Sequence, residues 1–293
     1  MREFLESKRQ LALATKRSYQ QVINEFLEYL GEAGSRRRLE AITEKDIQGF
    51  IVKLRASGRI PSTINKLVRN FLSVPFEKAR KLGKIKYNPV MACDPEKGTV
   101  AVKQIFSPEQ IARLLSVASD DWQGAIIAGY TIGARLGDIA NLRWSSLDLE
   151  YGVVTFTEKK TGRSTLVGLH ENFTEWLSVQ PAPEQADAFV FASLAQKNMS
   201  GLSAAFSDIM KKAGVEGKLI RESKGGKSKD VRGLSFHSLR HGAASSVFNQ
   251  AALKEVARRV TGHTEKGSLN RYLHADLQAI REASKLIPRI PKS

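Results

Sequence analysis

The chain has 293 residues, 42% of them hydrophobic and 26% charged, enough to bury one large core or two ordinary ones. Its 46 Lys and Arg against 30 Asp and Glu leave a net charge of +16, a self-repulsion that a polyanion such as nucleic acid relieves. A lone cysteine, Cys93, excludes an internal disulfide framework and a cysteine-built zinc site. No apolar run reaches about 18 residues and the opening MREFLESKRQ lacks a secretion-signal core, so a cytoplasmic protein without a membrane span is expected.

The first ninety residues read as helices alone. In ATKRSYQQVINEFLEYLGEAG, residues Tyr19, Val22, Ile23, Phe26, Leu27 and Leu30 recur at spacings of three and four, ending at Gly31 or Gly34. ITEKDIQGFIVKLRASG opens with a capping-box pair, Thr43 and Asp46, and repeats Ile47, Phe50, Ile51 and Leu54. PSTINKLVRNFLSVPFEKARKLG predicts a third helix, interrupted or kinked at Pro75. The periodicity then fails in YNPVMACDPEKGTVAVKQIF, which reads as a linker. The expected organisation is therefore an all-helical domain over 1–92, a linker over 93–106 and a second domain over 107–293.

The second domain opens on a helix with Ser107 as cap, Pro108 first and Gln110 completing the box. GVVTFTEKKTGRSTLVGL, 152–169, alternates β-branched residues about a Thr-Gly turn and predicts a hairpin. Helices are expected near 170–179, 200–213, 237–250, 252–260, 266–273 and 275–286, with a Gly/Lys/Ser-rich loop at 221–233. The fold class is mainly α with a small antiparallel β element in the second domain.

Positive charge concentrates in two places. Residues 51–90 hold ten basic side chains against one acid, and Lys53, Arg55, Arg59, Lys66, Arg69, Lys78, Arg80 and Lys81 are the candidates there for DNA contact. Lys224, Lys227 and Lys229 are the candidates in the second cluster, 211–232. Either cluster alone is a solvated face; two at distant places suit a surface touching phosphates at several points.

In SFHSLRHGAASSVF, His237 and His241 share a helical face with Arg240 on its flank, while Phe236, Leu239, Ala243 and Val247 form the buried stripe. A zinc site on His237 and His241 lacks both an intervening carboxylate base and an evident third ligand, so no metal is assigned. Arg135 follows Gly133 at a break between helices, with Asp138 placed either to orient its guanidinium or to form an ordinary surface ion pair. Lys159 and Lys160 precede the hairpin turn, and turn lysines are commonly just solvated. In TGHTEKGSLNRYLH, residues 261–274, Tyr272 shares a face with Leu269 and Leu273, which suits packing as well as reaction.

Taken in order, G-x-R-x-x-D at 133–138, a hairpin lysine, H-x-L-R-H at 237–241, G-H at 262–263 and a tyrosine nine residues later resemble the tyrosine recombinase, or phage integrase, family. The resemblance spans nearly the whole chain and is of the compact, Xer-like, two-domain kind. It implies an N-terminal SAM-like core-binding domain and an α+β catalytic domain. By position it makes Arg135 and Arg240 the catalytic arginines, Lys160 the hairpin lysine with Lys159 kept open, His237 the first histidine, His263 the second and Tyr272 the nucleophile. Asp138 and His241 are supporting residues, and His274 has no assigned role. Two departures stand out: Gly242 where a threonine or serine is usual, and GSLNRY before the tyrosine.

Phosphodiester cleavage by such a set needs no cofactor. Two arginines fork the non-bridging oxygens, His237 takes the tyrosine proton, and a lysine protonates the departing 5′ oxygen. The resulting 3′-phosphotyrosine keeps the bond energy, so strands can be rejoined. The resemblance implies double-stranded DNA as partner and a homotetramer on paired sites, monomeric when free. A type IB topoisomerase shares the chemistry, and a catalytically silent DNA-binding regulator shares the charge; the latter is expected to lack at least one of the six groups.

Overall fold

The structure, a computed structural model, describes residues 4, 11–98, 104–157, 162, 164–221, 231–248 and 273–291. The chain divides into two compact units, Met1–Val100 and Ala101–Ser293. Both are mainly helical and the second carries a small antiparallel sheet, the fold class the sequence predicts. No described helix is long and apolar enough to cross a membrane.

In the first unit, helix α1 (Leu13–Ser35) kinks at Gly31, whose φ of 71° lies in the left-handed region. Helix α2 (Glu44–Ala56) starts on the expected capping box, the Thr43 backbone N–H donating to the Asp46 carboxylate at 2.7 Å. The third helical stretch does not break at Pro75. Helix α3 (Pro61–Asn65) passes through a π-helical segment, Lys66–Leu72, into α4 (Ser73–Lys81). Proline has no N–H for the carbonyl of residue 71 and crowds it; widening the preceding turn relieves both. Val22, Ile23, Phe26, Phe50, Ile64, Leu72 and Phe76 are fully buried and form the core.

Residues 93–96, the start of the stretch read as linker, are fastened to these helices. Asn65 exchanges two hydrogen bonds with the Glu96 backbone, both 2.8 Å, Arg55 pairs with the Glu96 carboxylate, and Arg69 donates to the Cys93 carbonyl.

The second unit begins with α5 (Pro108–Val117), α6 (Asp120–Thr131) and the short α7 (Leu136–Ala140). Strands β1 (Leu147–Asp148), β2 (Val153–Thr157) and β3 (Ser164–Gly168) form a sheet in that order. The predicted hairpin is β2–β3, running in register from Val153↔Gly168 to Thr157↔Ser164. Then come α8 (Glu171–Ser178), α9 (Met199–Lys212), strands β4 (Leu219–Arg221) and β5 (Val231–Arg232), α10 (Phe236–Phe248) and α11 (Leu273–Ser284). Strands β4 and β5 pair where the sequence reading places only a loop, and β1 is also new. Two or three residues are too few to show a period of two.

Helix α6 is apolar on all sides and buried along nearly its whole length, so the unit is built around it. Helix α11 lies against β3 so closely that a methyl on Gly168 would stand 2.7 Å from the Ile280 carbonyl oxygen. The tail beyond α11 returns to α8. Buried His170 caps α8 by accepting from the Asn172 N–H at 3.2 Å, and its Nε2 donates to the Ile287 carbonyl at 3.0 Å. Burial pushes the His170 pKa down, consistent with the neutral ring that this pair of bonds requires.

Candidate active site

Helices α6 and α10 approach closely because Gly129 carries no side chain: a methyl there would lie 2.6 Å from Phe236 Cζ and 3.2 Å from Leu239 Cδ1. Phe236, Leu239 and Ala243 are buried, as the periodicity predicts. Burial of that stripe turns His237 outward, exposed, with Arg240 and His241 half-buried beside it. The His237 and His241 rings meet edge to face with centroids 4.4 Å apart.

Beyond α6 the chain turns at Gly133, whose φ of +69° favours glycine. Its Cα side faces α10; a methyl there would lie 3.3 Å from Ala243 Cβ and 4.0 Å from Arg240 Cγ. Two residues on, Arg135 sits at the N-terminus of α7 with its side chain 34% exposed. The Asp138 side chain is only 8% exposed, and its Oδ2 stands 3.9 Å from an Arg135 guanidinium nitrogen, at ion-pair distance. The segment carrying Arg135 and the turn carrying Arg240 are thus brought together, with His237 and His241 on the same helix.

Gly242, one of the two departures from the family pattern, is buried over Tyr130, and a Cβ there would make an ordinary 3.8 Å contact with Tyr130 Cε2. Burial pushes the Tyr130 phenol up to about 12, so it stays protonated and acts as a packing surface, not a rival nucleophile.

The β2–β3 hairpin ends its described pairing at Thr157 and Ser164, whose hydroxyls are 3.1 Å apart. Lys159, Lys160, His263 and Tyr272 lie outside the described residues, as do Lys224, Lys227 and Lys229. Helix α11 begins at Leu273, the residue after Tyr272, and His274 falls in its first turn. Among the described residues no three His, Cys, Asp or Glu side chains converge as a metal site would need.

In the first unit, four of the arginines proposed for DNA contact are engaged by the protein itself. Arg59 makes two hydrogen bonds to Glu25, Arg55 binds Glu96, Arg80 binds Glu77, and Arg69 donates to the Cys93 carbonyl. Lys53, Lys66, Lys78 and Lys81 are exposed. The position that the sequence reading did not single out is Gly129, which together with Gly133 of the G-x-R-x-x-D motif sets the approach of the two arginine-bearing segments. The signal at Gly129 was faint, a small residue in an apolar helical run.

The phage integrase family model matches residues 104–279, and the phage integrase N-terminal SAM-like domain model matches residues 2–73. The chain belongs to the phage integrase family. A relative, tyrosine recombinase XerD of Listeria innocua serovar 6a, is 18% identical over 297 residues, covering 96% of this chain and 95% of the relative. A lambda integrase (residues 75–356) solved as a dimer bound to a COC′ core site shares the fold with a TM-score of 0.67 at 18% identity, covering 95% of this chain and 92% of that one. Lambda integrase solved as a tetramer bound to a Holliday junction superposes with a TM-score of 0.64 at 20% identity, covering 96% and 75%. Family membership makes the protein a tyrosine-type site-specific recombinase.

Proposed function

We propose that the chain cuts and rejoins double-stranded DNA at a specific site through a 3′-phosphotyrosine formed by Tyr272. The observation that carries this reading is the contact of the Gly133 turn with α10, which brings Arg135 and Arg240 into one neighbourhood. Two guanidiniums there would fork the non-bridging oxygens of one phosphate, stabilising the charge that grows on them as the phosphorus is attacked. Tyr272 Oη forms the new bond to phosphorus, and its proton passes to His237. The bond from phosphorus to the 5′ oxygen breaks, and Lys160, or its neighbour Lys159, gives that oxygen its proton. His263 donates a hydrogen bond to the phosphate, and Asp138 and His241 steady Arg135 and His237. A 5′ hydroxyl from another strand then reverses the steps and releases Tyr272, so no external energy source is required.

Lys53, Lys66, Lys78 and Lys81 in the first unit, and Lys224, Lys227 and Lys229 in the second, supply sequence-independent phosphate contacts. The lambda integrase tetramer on a Holliday junction supports a tetramer on paired sites; gel filtration with and without DNA should show a monomer turning into that assembly. Acting on DNA, the protein would work at the nucleoid.

The test takes the duplex that the chain selects from a randomised pool, nicks it near the cleavage point, and looks for a covalent protein–DNA band on a denaturing gel. Wild type should give the band and Tyr272→Phe none. An undiminished band from Tyr272→Phe sinks the nucleophile assignment. Relaxation of a supercoiled plasmid without joining of two sites would instead mark a topoisomerase.

A further inference from the structure

We propose that Gln104 is a positioning residue for this reaction: its side chain secures the turn that launches α10, and so sets where His237 and Arg240 stand. The inference rests on the roles given to those two residues above.

Gln104 enters the second unit in an extended stretch ahead of α5. Its side-chain oxygen accepts from the Lys218 backbone N–H at 2.7 Å, a bond that spans 114 residues of chain. The carbonyl of Lys218 in turn accepts from the Gly233 N–H at 2.9 Å. Gly233 begins the turn Gly233–Leu234–Ser235, after which α10 starts at Phe236. The amide of Gln104 therefore holds the base of the β4–β5 pair at the point where the chain leaves for the catalytic helix.

The slot it fills exists because Gly233 has no side chain. A methyl on Gly233 would stand 2.8 Å from Gln104 Cδ and 2.9 Å from Cγ, whereas a methyl on Gly217 would first meet the backbone nitrogens of Leu234 and Gly233 and only then Gln104 Oε1, at 3.1 Å. Neither glycine has a positive φ. At Gly233 the backbone asks for nothing that alanine lacks, so the space occupied by Gln104 accounts for the missing side chain; at Gly217 the close approach of the 233–234 backbone accounts for it.

The turn is closed from its other side by α10. Ser235 N–H donates to Ser238 Oγ at 3.1 Å, Ser238 N–H donates to the Ser235 carbonyl at 2.8 Å, and Ser238 is buried. The next residue after Gln104, Ile105, faces the second turn of the same helix, its Cβ 4.0 Å from where a Gly242 methyl would be. Gln104 thus holds the turn from which α10 departs, one turn ahead of Arg240 and immediately before His237. One neutral hydrogen bond contributes little to net stability. Displacing a reacting group by about an ångström costs up to roughly 100-fold in rate. Loss of Gln104 should therefore show in the chemical step before it shows in folding.

The test measures single-turnover covalent complex formation on the nicked duplex. Gln104→Ala should slow the rate constant roughly tenfold, with the DNA concentration for half-saturation unchanged. Gln104→Glu keeps an acceptor oxygen at the same reach and should restore most of the rate. Gly233→Ala should slow the step alone by evicting the Gln104 side chain, yet add nothing in the Gln104→Ala background, where the slot is empty. Wild-type rate in Gln104→Ala, a loss that lies wholly in DNA affinity, or single effects that multiply in the double variant would each overturn the proposal. A second readout does not depend on the reaction: the NMR signals of the His237 ring should shift in Gln104→Ala and return in Gln104→Glu. Unmoved His237 signals refute the positioning role. A wild type that forms no covalent complex while those signals shift refutes the recombinase mechanism and leaves the positioning role standing.

Discussion

The arginines that tie the first unit together and the two proposed catalytic arginines of the second are positioned in different ways. Other arginines of the second unit, Arg143 and Arg232, pair with the Asp187 and Glu216 carboxylates as those of the first do. In the first, Arg37, Arg55, Arg59 and Arg80 each meet a carboxylate of the protein at 2.7–2.9 Å, and Arg69 meets a carbonyl at 2.7 Å. Their geometry is set by side-chain partners, and they tie helices and the 93–96 segment together. In the second, Arg135 and Arg240 are brought near each other by backbone: a left-handed turn at Gly133 and a close helix contact at Gly129. Arg135 lies 3.9 Å from the Asp138 carboxylate, at ion-pair distance. A basic residue is thus no evidence of nucleic-acid contact until its partners inside the protein are known.

The largest test of that contrast compares arginine with lysine. Arg135→Lys and Arg240→Lys keep the charge but lose the planar fork, and covalent complex formation should fall about 10²–10³-fold with DNA affinity little changed. Arg59→Lys should leave the rate untouched. Equal rate losses at Arg59 and Arg240 would erase the distinction between the two groups. Next in size is Gly129→Ala. Helix preference favours alanine by about 1 kcal/mol, but overpacking costs about 1–3 kcal/mol, and Phe236 is 5% exposed and packed edge-on against Phe206, with no room to turn. Sterics should win, giving a net loss of about 1–2 kcal/mol in a urea melt and a larger proportional loss in cleavage rate as α10 is pushed away. A melt indistinguishable from wild type would show that the contact yields.

How far the sequence could be read follows the same division. The stripe of Phe236, Leu239 and Ala243 was legible because α10 is buried on one side only, and the β2–β3 hairpin because its strands are long enough to alternate. Strands β4 and β5 were not, at three and two residues respectively. The capping box at Thr43 was legible as a local rule, whereas the π-helical segment before Pro75 was not, since proline announces a disturbance without saying how the chain absorbs it. Motif order located the candidate site; the glycines and Gln104 that arrange it act across more than a hundred residues, in pairs no spacing rule connects.

A smaller effect separates solvent-facing lysines from engaged arginines. Replacing Lys53 and Lys81 by alanine should lower DNA affinity on any sequence and reduce the salt slope by about one for each phosphate left without its lysine. The urea melt should be unaffected, because both side chains are exposed. Arg59→Ala should do the reverse, leaving the slope alone and costing about 1 kcal/mol of stability through its paired bonds to Glu25. A slope lowered as much by Arg59→Ala as by the lysine variant would place Arg59 on DNA.

The smallest effect isolates one structural arginine by pH. The Arg37 guanidinium, aided by the Thr43 N–H, holds the Asp46 carboxyl down at about 2, below the usual value near 3.9 of an unfolded chain. A carboxyl depressed on folding contributes its full stability above the unfolded value and loses it as pH falls toward the folded one. Asp46→Asn keeps the shape of the cap but not its charge. It should lower stability by about 1 kcal/mol or less at neutral pH, and the gap should close as the pH is taken from 4 toward 2. Urea melts across that range decide the matter: a gap that stays constant would mean that the Arg37 pair contributes nothing and the cap alone carries the difference. Covalent complex formation at neutral pH should be the same for both proteins, since Asp46 is engaged by Arg37 and the Thr43 N–H within the first unit and takes no part in the proposed reaction.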